Sequence, residues 1–148
     1  MRIAVGSDHA GFLLKEALAG QLRERGHEVV DCGTDSVERV DYPDYGAAVG
    51  RTVASGDAEA GVCVCGSGIG IAMAANKIRG VRAATVHDVT SARLSRAHND
   101  ANVICFGERL IGPEVARQAL DAWLDATFEE GRHTGRVAKL DALGGEHV

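Results

Sequence analysis

The chain has 148 residues and a mass of 15.5 kDa, with 45% hydrophobic and 25% charged residues, which fits one compact globular domain and argues against disorder. A formal net charge of -5 and a pI near 5.6 argue against a surface devoted to nucleic acid or anionic membranes. The N-terminal apolar run is too short for a signal peptide and no run reaches membrane-spanning length, so a cytoplasmic protein is expected.

In chain order, "IAVGS" (Ile3 to Ser7) predicts a strand, and Leu13, Leu14, Ala17, Leu18 and Leu22 then recur at helical spacing up to a stop at Gly26. "EVVDCG" predicts a second strand and "DYGAAVGRTVASG" a glycine-flecked helix. "GVCVCG", "RAATV" and "NVICFG" predict three more strands, separated by helices that begin near Gly70 and Asp88. The last helix opens with Pro113 at a favoured first-turn position. The tail from Gly131 carries no strand signal, a surplus of basic residues and a short helical pattern around Arg136 to Leu143.

Five strands alternating with five helices, the strands apolar on both faces, predict an α/β fold: a three-layer, doubly wound, Rossmann-like parallel sheet in a single domain over residues 1–148. Ligands of such sheets collect at the carboxyl ends of the strands. Those ends carry Ser7, Asp8 and His9, then Cys32 to Asp35, Cys65 to Gly70, His87 and Asp88, and Gly107 to Arg109.

The most specific of these ends is the third. Gly66, Ser67, Gly68, Ile69 and Gly70 lie between a strand and a helix, where successive N–H groups and the helix dipole make an anion cradle; a tight turn needing glycine is the plainer reading. A dinucleotide fingerprint requires glycine at position 71, where the chain has Ile71, so a nucleotide-binding module is the lesser alternative. Cys65 stands at the helix start, where a thiolate is stabilised, and is a candidate base or nucleophile; a buried structural cysteine fits the same position. Cys63, two residues back in the strand, reads as core, and all four cysteines are expected reduced. Cys63 and Cys65 form C-x-C rather than C-x-x-C, and no Cys or His pair follows at ligand spacing, so no metal site is read.

"GSDHAGF", "DYPDY", "CGSGIGIAMAANK", "SRAHNDANVICFG" and "GRHTGRV" occur in that order over nearly the whole chain. Together they resemble the type B ribose-5-phosphate isomerases, a family that also has allose-6-phosphate and galactose-6-phosphate isomerase members. The resemblance implies a homodimer, with a dimer of dimers as the larger alternative, no cofactor or metal, and aldose–ketose interconversion through an enediolate in the non-oxidative pentose phosphate pathway. It makes Cys65 the base, since Ile71 cannot titrate where one branch of the family has glutamate. It assigns ring opening to His98 with help from Asp8, where a helix-end cation and a helix cap are the plainer readings. Asn99 and the loop, with the hydroxyl of Ser67, would hold the enediolate oxygens, and Tyr42 would line the sugar site.

Arg132 and Arg136, four apart in the tail of residues 129–148, would share a helix face, where solvated surface arginines are the plainer reading; the resemblance implies that they bind phosphate, assisted by His9 and Arg109. The resemblance also implies that His98 serves the site of a neighbouring subunit. His133 is read as a flank to the arginines, His27 as exposed, and His147 as part of a frayed end, while the role of His87 stays open. Another sugar phosphate (a tetrose phosphate, allose 6-phosphate or galactose 6-phosphate) is the alternative substrate.

Overall fold

The computed structural model describes residues 1–144, so the expectation for His147 lies outside the described residues. Strand β1 (Arg2–Ser7) passes through a single turn of 3-10 helix (His9–Gly11) into α1 (Phe12–Glu24). There follow β2 (Glu28–Asp31), α2 (Tyr42–Ala54), β3 (Ala60–Cys65), α3 (Ile69–Asn76), β4 (Ala83–Thr85), α4 (Val89–Asn99), β5 (Val103–Gly107), α5 (Pro113–Asp125) and α6 (Arg132–Leu143). The five strands are all parallel, in the order β2-β1-β3-β5-β4, which is the expected Rossmann-like α/β sheet.

All six residues of β3 are buried, because helices cover both faces of the sheet. Side chains alternate between the faces. Val62 and Val64 join Ile3, Val5, Leu18 and Phe106 in a core beneath α1, α4 and α5, which Trp123 and Leu120 complete. Cys63, Cys65 and Cys105 point the other way, with Val49 of α2 and Ile71 and Ala75 of α3. The sequence therefore selects the cysteines for one face simply by spacing them two apart.

Lys15 is fully buried in α1, yet its Nζ donates to Asp31 Oδ1 at 3.0 Å and to the Thr34 carbonyl at 2.6 Å. A buried ammonium is tolerated only with such partners. The result is a tether between α1 and the loop that follows β2. Backbone bonds from Ser7 N to Gly33 O and from Thr34 N to Ser7 O fasten the same loop to the end of β1.

The tail differs from the sequence reading in extent. Its helix begins at Arg132 rather than near Arg136, with Gly131 at positive φ (56°) before it, and Val137 and His133 are its buried positions. His27 is half-buried rather than exposed, its Nδ1 3.1 Å from the terminal amine.

Candidate active site

The sheet reverses its winding between β1 and β3, the point where α/β sheets open a crevice. A cavity of about 610 Å³ lies there, bounded by Asp8, His9, Tyr42, Cys65, the Gly66–Gly70 loop and Arg109. Three strand ends, those of β1, β3 and β5, and the start of α2 thus converge on one volume.

Asp8 performs the capping role and faces the cavity as well: its Oδ1 accepts from the N–H groups of Ala10 and Gly11 at 3.0 and 3.1 Å. His9 is held through Nδ1, which lies 3.1 Å from the Val40 carbonyl oxygen and 3.2 Å from its nitrogen, leaving Nε2 for a ligand. Tyr42 is the first residue of α2, where Pro43 favours a helix start.

Around Cys65 the chain folds back on itself. Gly68 takes φ of 75°, a left-handed conformation that favours glycine, and its N–H donates to Cys65 Sγ at 3.1 Å. The Thr85 hydroxyl donates to the Gly68 carbonyl at 2.7 Å, holding the peptide that follows it. Ser67 Oγ accepts the Ile69 N–H at 3.1 Å, just before the first turn of α3. The first-turn N–H groups of a helix have no intrahelical carbonyl to reach, so the cradle presents donors to an anion.

The end of β5 locks onto this loop. Glu108 N donates to Cys65 O at 3.0 Å and Arg109 N to Gly66 O at 3.1 Å. Gly107 comes so close that a Cβ on it would stand 2.5 Å from the Ser67 carbonyl, which is why the strand ends in glycine. Glu108 Oε1 also accepts the Leu14 N–H at 2.6 Å, joining the start of α1 to the Arg109 loop.

The other thiols differ in character. A hydrogen bond with Cys105, and then burial, pushes the Cys63 thiol well above its ordinary pKa, and burial raises that of Cys32. Both are held protonated, as core groups should be.

His98, Asn99, Arg132 and Arg136 are not at this cavity. His98 and Asn99 end α4, which runs back to the amino end of the sheet, and α6 is tied to the same end by an Arg82–Asp141 ion pair of 3.1 Å. Within one chain the two tail arginines therefore lie at the other end of the sheet from His9 and Arg109. They do share one face of α6 and are exposed, as their spacing predicted. His133 does more than flank them. It is buried and stacks on His98 with ring centroids 4.3 Å apart.

Sequence reasoning missed Thr85, Glu108, Glu129 and Met73 of the cavity wall; of these only Glu108, inside a strand-end motif, carried any local signal. His87 is exposed, and the cavity around Cys65 is lined without it.

A family model described as ribose/galactose isomerase matches residues 3–140. The chain is 49% identical over 142 residues to ribose-5-phosphate isomerase B of Escherichia coli, covering 96% of this chain and 95% of that one. It is 40% identical to D-erythrulose-4-phosphate isomerase of Pectobacterium atrosepticum, covering 95% and 93% of the two chains. Its fold superposes on the structure of Clostridium thermocellum ribose-5-phosphate isomerase B with a TM-score of 0.98 at 46% identity, over 100% of both chains.

Proposed function

The chain belongs to the ribose/galactose isomerase family, and from that premise we propose that it interconverts D-ribose 5-phosphate and D-ribulose 5-phosphate in the non-oxidative pentose phosphate pathway. The observation that carries this reading is the bond from Gly68 N–H to Cys65 Sγ on the wall of a cavity lined by cradle donors. A sulfur that accepts an N–H thus lies beside the helix-start donors of the loop.

His98 of a second copy of the chain opens the furanose ring by giving a proton to the ring oxygen, while Asp8 takes the anomeric hydroxyl proton through the oxygen its cap leaves free. The Cys65 thiolate then removes the C2 proton. Charge develops on O1, where cradle N–H groups and Asn99 of the second copy stabilise it; each such donor is worth about a hundredfold or more. Ser67 Oγ accepts from Ile69, so its own hydrogen is free to relay the O2 proton to O1. Cys65 returns its proton to C1, which gives the ketose and regenerates the thiolate. Arg132 and Arg136 of the second copy, with His9 and Arg109, hold the phosphate dianion.

A homodimer is part of this reading because the cavity of one chain lacks His98, Asn99, Arg132 and Arg136. The cavity rim supports it: Ile69 and Met73, four apart on α3, and Leu110 are large apolar side chains left 49%, 62% and 58% exposed.

A tetrose phosphate is the second reading, favoured by the 40% identity to the Pectobacterium enzyme. Comparing kcat/KM for ribose 5-phosphate, erythrulose 4-phosphate, allose 6-phosphate and galactose 6-phosphate tests both. Ribose 5-phosphate is expected to lead by about tenfold or more, the usual scale for one carbon unit in a pocket. A higher value for erythrulose 4-phosphate transfers the assignment to the tetrose.

A further inference from the structure

Away from the cavity, the described residues gather one further set of ligand-type side chains. His98 in α4, Glu129 in the connection after α5 and His133 in α6 bring one donor atom each to within 4.8 Å of one another. Glu129 Oε1 lies 3.6 Å from His98 Nε2 and 4.0 Å from His133 Nε2, both too long for hydrogen bonds. The three atoms surround a common point without satisfying each other.

A second observation is independent of that spacing. His133 is only 7% exposed, and its Nε2 has no hydrogen-bond partner among the described residues. Buried polar atoms are ordinarily paired, so this nitrogen is an acceptor or donor held in reserve.

We propose that His98, Glu129 and His133 form a binding site for a divalent transition-metal ion of the zinc class, and that its occupancy switches the isomerase off by taking the nitrogen of His98. Two imidazoles and one carboxylate are a donor set that zinc accepts with a fourth position left open. Arg132 and Arg136 repel a cation from the same helix, so charge alone does not fill the site. Direct nitrogen ligation does, which selects zinc, cobalt, nickel or copper over magnesium and calcium. The two rings are nearly parallel, 13° apart, whereas a metal lies in the plane of each ligating ring. His98, with a side chain 35% exposed, turns to meet the ion while buried His133 stays fixed. The ion acts here as an inhibitor, and the switching rests on the proposed role of His98 in ring opening.

The test uses the full chain after chelator treatment. Zinc is titrated by calorimetry and cobalt by visible absorption, with isomerase rate followed in parallel. One ion per chain is expected, with a cobalt spectrum that lacks a thiolate charge-transfer band and is unchanged in Cys65→Ala. Glu129→Gln and His133→Ala should each weaken binding at least about tenfold, since losses of that size follow even from removal of supporting ligand contacts. Glu129 is exposed, so its variant reports on ligation even if His133→Ala proves unstable. Wild-type activity should fall with zinc and return on chelation, and Glu129→Gln should need about tenfold more zinc for the same fractional loss. No binding, a thiolate band, or affinity that survives both substitutions overturns the site. Zinc bound through these ligands with isomerisation undisturbed upholds the site and overturns the switch together with the role of His98.

Discussion

Cys65 and His98 stand at opposite ends of the same sheet. Cys65 closes β3 level with Gly107 at the carboxyl end of β5, while His98 precedes Val103, where β5 begins. The strand between those levels alone spans about 13 Å at ~3.3 Å per residue. No side-chain motion brings the two groups onto one sugar within a chain, so a shared site requires a second copy.

Complementation should show this directly. Cys65→Ala and His98→Ala, nearly inactive alone, are unfolded and refolded together. Each heterodimer holds one doubly altered and one intact site, so about a quarter of wild-type activity should return if pairing is random and the dimer is two-fold. An inactive mixture in which mass measurement finds heterodimers would mean that Cys65 of one copy and His98 of the other do not act on one sugar.

The thiols should separate by role. Cys65→Ala is expected to lower kcat by at least about a hundredfold, the low end for loss of a positioned base. Cys63→Ala, whose thiol is buried against Cys105, should keep its rate and lose about 1 kcal/mol of stability in urea. A fully active Cys65→Ala enzyme would remove Cys65 from the mechanism.

Gly107→Ala tests whether the cradle geometry matters. The added Cβ would stand 2.5 Å from the Ser67 carbonyl and force the loop to move, so kcat/KM should fall about tenfold or more. Gly112→Ala, with nothing within 4 Å of its Cβ, is the control and should behave as wild type.

Acid should weaken the fold partly through His133. Burial and the nearby His98 and Arg132 lower its folded pKa, with Arg136 acting in the same direction and Glu129 opposing. The unfolded chain then binds the proton more readily, so the contribution to stability is complete above about pH 6.5 and is lost as pH falls through the lower folded value. Wild type should therefore lose more Tm between about pH 7 and 5 than His133→Phe, which keeps the ring stack; parallel pH curves would show that His133 does not titrate in this way.

Exhaustive chelation should leave the isomerase rate intact, because the proposed chemistry needs only Cys65, the cradle and the second copy's groups. Loss of activity, with recovery on adding a divalent ion, would show that a metal takes part in catalysis.

Spacing and composition alone determined the alternation of strands and helices, the layering of the sheet and the crowd of reactive residues at the carboxyl ends. These are local facts. Apolar periodicity fixes which faces are buried, and the glycines around Cys65 leave few backbone paths from β3 into α3. The pairing of Arg132 with Arg136 was equally legible, since residues four apart share a helix face. What the tertiary structure decided is which of these residues meet. Strand order set the crevice between β1 and β3, and the return of α4 carried His98 away from Cys65. Thr85 gripping Gly68, Glu108 gripping Leu14, and His133 stacked beneath His98 join positions far apart in sequence. No periodicity records such contacts, because they follow from how whole elements pack, and packing depends on every layer of the sheet at once.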